Sequence, residues 1–201
     1  MANNKRQEPK KEWTEQEKWV WKKLCLGEVA DFNNPGDPEK EKLYGKYLDS
    51  KDDKLWTPEN KNTKSRILSS EFLETILLEE PYNSALTRKG VKIIGAWFPD
   101  AIDFSFVVIE HQLWLHKSRF DAYVDFSDLK SNNLISFQGS QFNGVLNLHR
   151  LHIVGSLFMR GGTRFGEVNL GSAKIGGTLE MDGSKFSGEL NMDSLEVNSR
   201  L

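Results

Sequence analysis

The sequence predicts a mainly β solenoid: a right-handed quadrilateral β-helix of about five 22-residue coils behind an α-helical N-terminal cap. Two observations predict the solenoid, a 22-residue repeat of apolar positions and a fixed alternation of spacings inside each repeat. Helix-start signals in the first ninety residues predict the cap.

Shifting the chain by 22 aligns Ile102, Val124, Leu146, Val168 and Leu190, and two residues later Phe104, Phe126, Leu148, Leu170 and Met192. Further columns are Val107, Leu129, Leu151, Ala173, Leu195 and Ile109, Ser131, Ile153, Ile175, Val197. Val91, Leu113, Ile135, Leu157, Leu179, Leu201 form the next, followed by Ile93, Leu115, Phe137, Met159, Met181 and by Phe98, Phe120, Phe142, Arg164, Phe186. Of these 36 positions 34 are apolar, where a 38% apolar composition gives about 14. Such self-similarity is the mark of a repeat architecture. Arg164 breaks the last column because Phe165 comes one residue late after RGGTRF, and FGEVNL is then one residue short. A one-residue bulge, repaired at once, accounts for both. Small residues precede each phenylalanine: Ala96, Ser118, Ser140, Gly162 and Ser184.

Inward positions come in pairs two apart, which is strand periodicity. Successive pairs are five and six residues apart in alternation (Phe104, Ile109, Leu115, Phe120, Phe126), giving four short sides per 22-residue turn. Gly, Ser, Asn and Asp are plentiful at the corners. A three-sided β-helix is the nearest rival, and the alternation favours four sides; a leucine-rich repeat would need an asparagine ladder in a longer consensus. One coil has no ladder partner of its own, so the coils must stack, about 4.8 Å apart.

Elements such as SAKIGG, GSKFSG and GSQFNG resemble the pentapeptide-repeat superfamily of four-sided right-handed β-helices. The match is to its looser relatives, since a strict pentapeptide repeat gives about 20 residues per coil and this chain has 22. ILSSEFLETILLEEPYNSALTRKGVKIIGAWF resembles the lead-in of a bacterial pentapeptide-repeat-like group, in which a short helix precedes a first coil reading G-V-x-I-x-G-A. The resemblance covers residues 66–201 and implies fold more than function. It also implies that longer members continue into membrane-spanning helices and that some members mimic duplex DNA.

The chain divides into a charged segment 1–12 expected to be disordered, a helical cap region 13–90 and the solenoid 91–201. TEQE is a capping box with Thr14 as N-cap, Glu17 at N3 and Trp13 placed as a staple. That helix runs to Leu26, burying Val20, Trp21 and Leu24, with Gly27 as its stop. NNPGDPEKEK leads to a short helix around Glu39–Leu48, SKDDKLWTPENKN reads as loop, and Ser69 or Ser70 caps a helix through Leu78 that Pro81 ends.

Trp13, Trp19 and Trp21 are candidates for a partner-binding patch or for packing of the cap onto the first coil, and Trp56 and Trp97 are read the same way. Val197 and Leu201 complete the candidate partner-binding set, because the sequence stops in mid-coil with no polar cap after Val197. Exposed coil ends invite strand addition. A second copy, a protein partner or further chain of a longer parent is the expected cover.

Basic and acidic residues number 27 and 29, split 17 and 17 before residue 91 and 10 and 12 after it, so no basic excess points to nucleic acid. The near balance also argues against a DNA-mimicking inhibitor, which needs an acidic face. One cysteine, Cys25, excludes an internal disulfide framework and fits a cytoplasmic setting; it is read as a small buried hydrophobe. No apolar run is long enough to span a membrane, so membrane contact is expected only through a longer parent chain. His111, His116, His149 and His152 fall at outward or corner positions without a converging acid or cysteine, and no metal or cofactor site is expected. Asp100 with Asp103, or Asp125 with Asp128, would be the acid pairs of a carbohydrate-active β-helix enzyme, against a reading as scattered surface acids. The expected function is non-enzymatic: a stiff solenoid surface for a protein partner or for self-association.

Overall fold

A computed structural model describes residues 7–45 and 47–198. Four parallel sheets form the four sides of a solenoid of about five coils, 22 residues apart. The first side stacks Ala30–Asp31, Val91–Ile94, Leu113–His116, Ile135–Ser136, Leu157–Phe158 and Leu179–Glu180. The second runs from Trp97–Phe98 to Lys185–Phe186, the third from Ile102–Asp103 to Leu190–Asn191 and the fourth from Val108–Ile109 to Glu196–Val197. Every side is a two- or four-residue strand, so each coil turns sharply four times and its inward residues fill the axis. Phe98, Phe120, Phe142, Phe165 and Phe186 stack in one column with centroids 4.3–5.2 Å apart.

Two corners recur in the left-handed conformation. Between the first and second sides it falls on Gly95, Lys117, Gly139, Gly161 and Gly183, and between the third and fourth on Phe106, Asp128, Arg150, Ser172 and Ser194. The bulge lies where the sequence puts it: Arg164 pairs with Gln141 and Lys185, and Phe165 takes the phenylalanine column. Its extra residue is Gly162, left-handed like Gly161 before it, a conformation that glycine adopts without a Cβ clash. The small corner residue of that coil is therefore Thr163, not Gly162. Thr163 continues a buried hydroxyl ladder: Ser118 Oγ accepts from the Ala96 N–H, Ser140 Oγ from that of Ser118 and Thr163 Oγ1 from that of Gly139.

Among the described residues five helices and one strand make the cap. The helices are α1 (Glu15–Cys25), α2 (Pro38–Tyr44), α3 (Lys61–Lys64), α4 (Ser70–Leu78) and α5 (Tyr82–Ala85). The capping box at Thr14 and Glu17 forms, and Ser69 caps α4. Helices α3 and α5 are additions to the sequence reading, and α2 stops at Tyr44 because Gly45 turns left-handed. The cap completes the open first coil. Ala30–Asp31 pairs with Ile93 and Ile94, and Ile67 bridges to Trp97. Arg66, wholly buried, donates to the Tyr44 carbonyl, to Asn33 Oδ1 and to the Gly95 carbonyl. Residues 7–12, part of the segment expected to be disordered, lie against α1 and α4. Trp21 Nε1 donates to the Gln7 carbonyl and Lys10 Nζ to Thr75 and Glu79.

The segment 47–57 is a strap along the first–second corner. Ser50 Oγ donates to the Gly139 carbonyl two coils below the cap, and Arg119 donates to Ser50 O and Asp53. Trp56 packs on Trp97 at 6.1 Å. Among the described residues no helix is long and apolar enough to cross a membrane.

Candidate functional site

Trp13, Trp19 and Trp21 pack the cap and are not available as a surface patch: they are 5, 8 and 1% exposed. Trp13 meets Phe72, Tyr82 and Trp21 at 4.9–5.8 Å, so its ring bridges α1 to α4. Trp19 lies outside that cluster and is also buried, between Phe32 and Tyr44 at 5.0 Å each. Trp56 and Trp97 are likewise buried, beneath and within the strap contact. Cys25 is half-buried on α1.

Val197 stands on the last described coil, and Leu201 lies outside the described residues. This coil differs in burial from the one before it. Leu170 and Ile175 are wholly buried, whereas Met192 and Val197, one coil later in the same columns, are 42 and 40% exposed. Met181, Phe186, Leu190 and Leu195 are only half-buried against the core. The strands Leu179–Glu180, Lys185–Phe186, Leu190–Asn191 and Glu196–Val197 each have one neighbour. The end of the described solenoid is thus an apolar layer ringed by four strand edges.

The candidate acids are spread over the third side. Asp103 and Asp125 are register partners on adjacent coils. Asp103 Oδ1 accepts from the Ser105 N–H, and Ser105's hydroxyl and N–H hold its carboxyl below the ordinary value. Asp125 accepts from the Ser127 N–H, from Tyr123 Oη and from Asn147 Nδ2. The column continues as Asn147, Asn169 and Asn191, each bonding the N–H two residues on. These are turn-forming residues of the third corner. Asp128 pairs with Arg150 at 3.0 Å, and Asp100 is exposed.

Two histidines are tied into the scaffold. His111 Nε2 lies 3.2 Å from the Asn83 carbonyl, joining the cap to coil one. His116 Nε2 lies 2.7 Å from Ser136 Oγ, and its ring stacks on Trp114. Burial, and then Lys117, Arg160 and Lys92, push His116 down to about 4. His152 faces outward on the fourth side. Among the described residues no group of three or more His, Cys, Asp and Glu could hold a metal ion.

Sequence reasoning missed the fourth side. Phe106 and Val108 are 79 and 60% exposed there, and the signal was available: they are the apolar members of columns otherwise filled by Asp128, Arg150, Ser172 and by Lys130, His152, Lys174. Neither family models, nor curated proteins, nor solved structures match this chain.

Proposed function

We propose that the chain is a non-enzymatic interaction module of the pentapeptide-repeat-like kind, displaying a stiff solenoid to a protein partner or to a second copy. The observation that carries this is the burial step from Leu170 and Ile175, at 0%, to Met192 and Val197, at 42 and 40%. Among the described residues this apolar layer is flanked by parallel strand edges with one neighbour each, a surface complementary to one more coil or to an added strand. The single cysteine supports a reducing, cytoplasmic setting.

The test is solution mass by light scattering across concentration, on this chain and on Met192→Lys and Val197→Lys. Both side chains are exposed enough to accept lysine without loss of the core. Concentration-dependent dimers that the substitutions weaken by about tenfold or more support docking at this coil. Mass that stays at one chain throughout, with no partner adding to this edge, overturns it.

A further inference from the structure

The fourth side carries an apolar segment and a cationic segment end to end. Its outward strand positions are Val108, Lys130, His152, Lys174 and Glu196, beside the left-handed corner residues Phe106, Asp128, Arg150, Ser172 and Ser194. The first coil is the exception in both columns. Phe106 has φ 57°, and that backbone costs a bulky side chain about 1–2 kcal/mol. At 79% exposure it recovers almost none of this by burial. Asp, Arg and Ser serve the same corner in the other four coils, so the fold itself does not call for an aromatic ring. A shallow groove of about 180 Å³ joins Val108 to Leu77 and Leu78 of α4.

Beyond this apolar end, a groove of about 350 Å³ runs over coils two to four between the corner and strand columns. Within it Arg150 is engaged by Asp128 and Lys174 by Glu196, at 3.0 and 3.2 Å. Lys130 and His152 have no side-chain hydrogen bond or ion pair among the described residues. They also line a smaller groove with Val154, itself 58% exposed.

We propose that the fourth side is a docking surface for an extended acidic segment of a protein partner. An apolar residue of that segment packs on Phe106 and Val108, and its carboxylates lie along Lys130, His152 and Lys174. The inference rests on the interaction-module reading and names a second surface and its partner chemistry. Charge complementarity selects the occupant: Lys130, Arg150 and Lys174 put a cation on each of three successive coils, about 4.8 Å apart. From Val108 to Lys174 is three coils, or ~14 Å, which an extended strand covers in about four residues. Glu80 and Glu110 border the apolar end and repel carboxylates there, so the segment has one polarity, apolar at the first coil and acidic beyond it.

The test titrates the isotope-labelled full chain with a synthetic peptide of two leucines followed by alternating glutamate and serine. A second peptide has glutamine for every glutamate. The expected result is saturable binding with Kd of roughly 10–100 μM, and amide shifts confined to the fourth side. Phe106→Ser and Lys130→Glu should each weaken it about tenfold, as should raising the salt. Phe106→Ser copies Ser172 and Ser194, so its fold is secure. No saturation by about 1 mM, equal binding of the glutamine peptide, or shifts on another side overturns the proposal. The light-scattering behaviour of Met192→Lys is read on the same samples. Peptide failure with association at the terminal coil intact refutes only the fourth-side surface, and failure of both refutes the module reading.

Discussion

One carboxylate starts two helices: Glu17 Oε1 accepts the Ser69 N–H at 3.0 Å and its hydroxyl at 2.6 Å, while Oε2 accepts the N–H and hydroxyl of Thr14 at 2.8 Å. Thr14 caps α1 and Ser69 caps α4. The capping box therefore fixes the angle between helices whose capping contact spans 52 residues of sequence.

Glu17→Gln should consequently cost about 1–3 kcal/mol, more than an isolated cap, because charge-assisted bonds to two caps are weakened together. Burial works to raise the Glu17 carboxyl, but the bonds from Ser69 and Thr14 hold it below its ordinary 4.5. A depressed carboxyl adds stability that is present above the unfolded value and is lost as the pH falls through the folded one. Urea unfolding of the wild type should thus weaken below pH 4.5, and the Glu17→Gln chain should show a shallower acid limb. Identical acid limbs would remove the role assigned to this carboxylate.

His116 gives a second pH response in a separate window. Its ring is held neutral by burial and by Lys117, Arg160 and Lys92, with a folded value of about 4 against 6.5 unfolded. Its contribution is complete above pH 6.5 and declines as the pH falls toward 4. The loss levels off at about 3 kcal/mol only below pH 4, where the folded ring is protonated as well. His116→Phe should flatten stability between those two pH values. The direct check is the proton NMR titration of the His116 ring, and a midpoint near 6.5 contradicts the buried, cation-flanked environment.

Arg119 is the clasp of the strap. It is 7% exposed, with Nε on Asp121 at 2.8 Å and Nη1 on Asp53 at 2.6 Å and on the Ser50 carbonyl at 3.4 Å. Arg119→Met removes the bonds to Asp53 and to the Ser50 carbonyl while Asp121 keeps Trp97 Nε1 and Asn143 Nδ2, so tryptic cleavage at Lys51 and Lys54 should rise about tenfold or more while the solenoid stays folded. Asp53→Ala should change little, about 0–1 kcal/mol, because Asp53 is exposed. Cleavage that is equally slow in all three chains would mean that Ser50 and Trp56 hold the strap without Arg119.

The solenoid was legible because its signal is local and repeated. Each column member needs only a neighbour 22 residues away, so Phe142 and Leu146 are placed by the same rule as Phe120 and Val124. The bulge was legible for the same reason, although its corner residue was not: only the left-handed turns at both Gly161 and Gly162 show that Thr163, not Gly162, joins the hydroxyl ladder. The cap was half legible. Capping residues announce α1 and α4, but the strap SKDDKLWTPENKN has no periodicity, and its partners Arg119 and Gly139 lie 69 and 89 residues on. Trp19 illustrates the limit of helix-face reasoning, since its second burial site is made by Phe32 and Tyr44 from other segments. Phe106 and Val108 stood out from their columns, but a departure from a repeat becomes informative only when exposure shows that packing does not explain it.

The bulge permits a register test that separates the two halves of its irregularity. Six residues separate Met159 from Phe165 where five separate Phe137 from Phe142, and three separate Phe165 from Val168 where four separate Phe142 from Leu146. The excess at Gly162 and the deficit at Gly166 cancel, which lets Val168 pair with Leu146. Deleting Gly162 alone makes the Met159–Phe165 spacing regular but leaves the coil one residue short between Phe165 and Val168, so either Phe165 leaves its stack or Val168 leaves its ladder. That deletion should cost about 3 kcal/mol or more. Inserting a glycine after Gly166 in the same chain restores a regular 22-residue coil and should return stability to within about 1 kcal/mol of the wild type. Gly162→Ala alone should cost about 1–2 kcal/mol from its left-handed backbone, since the added Cβ meets only the mobile end of Lys51 at 3.2 Å. Chemical unfolding of the three chains decides it: a paired variant no more stable than the single deletion would show that the two irregularities are independent and do not compensate.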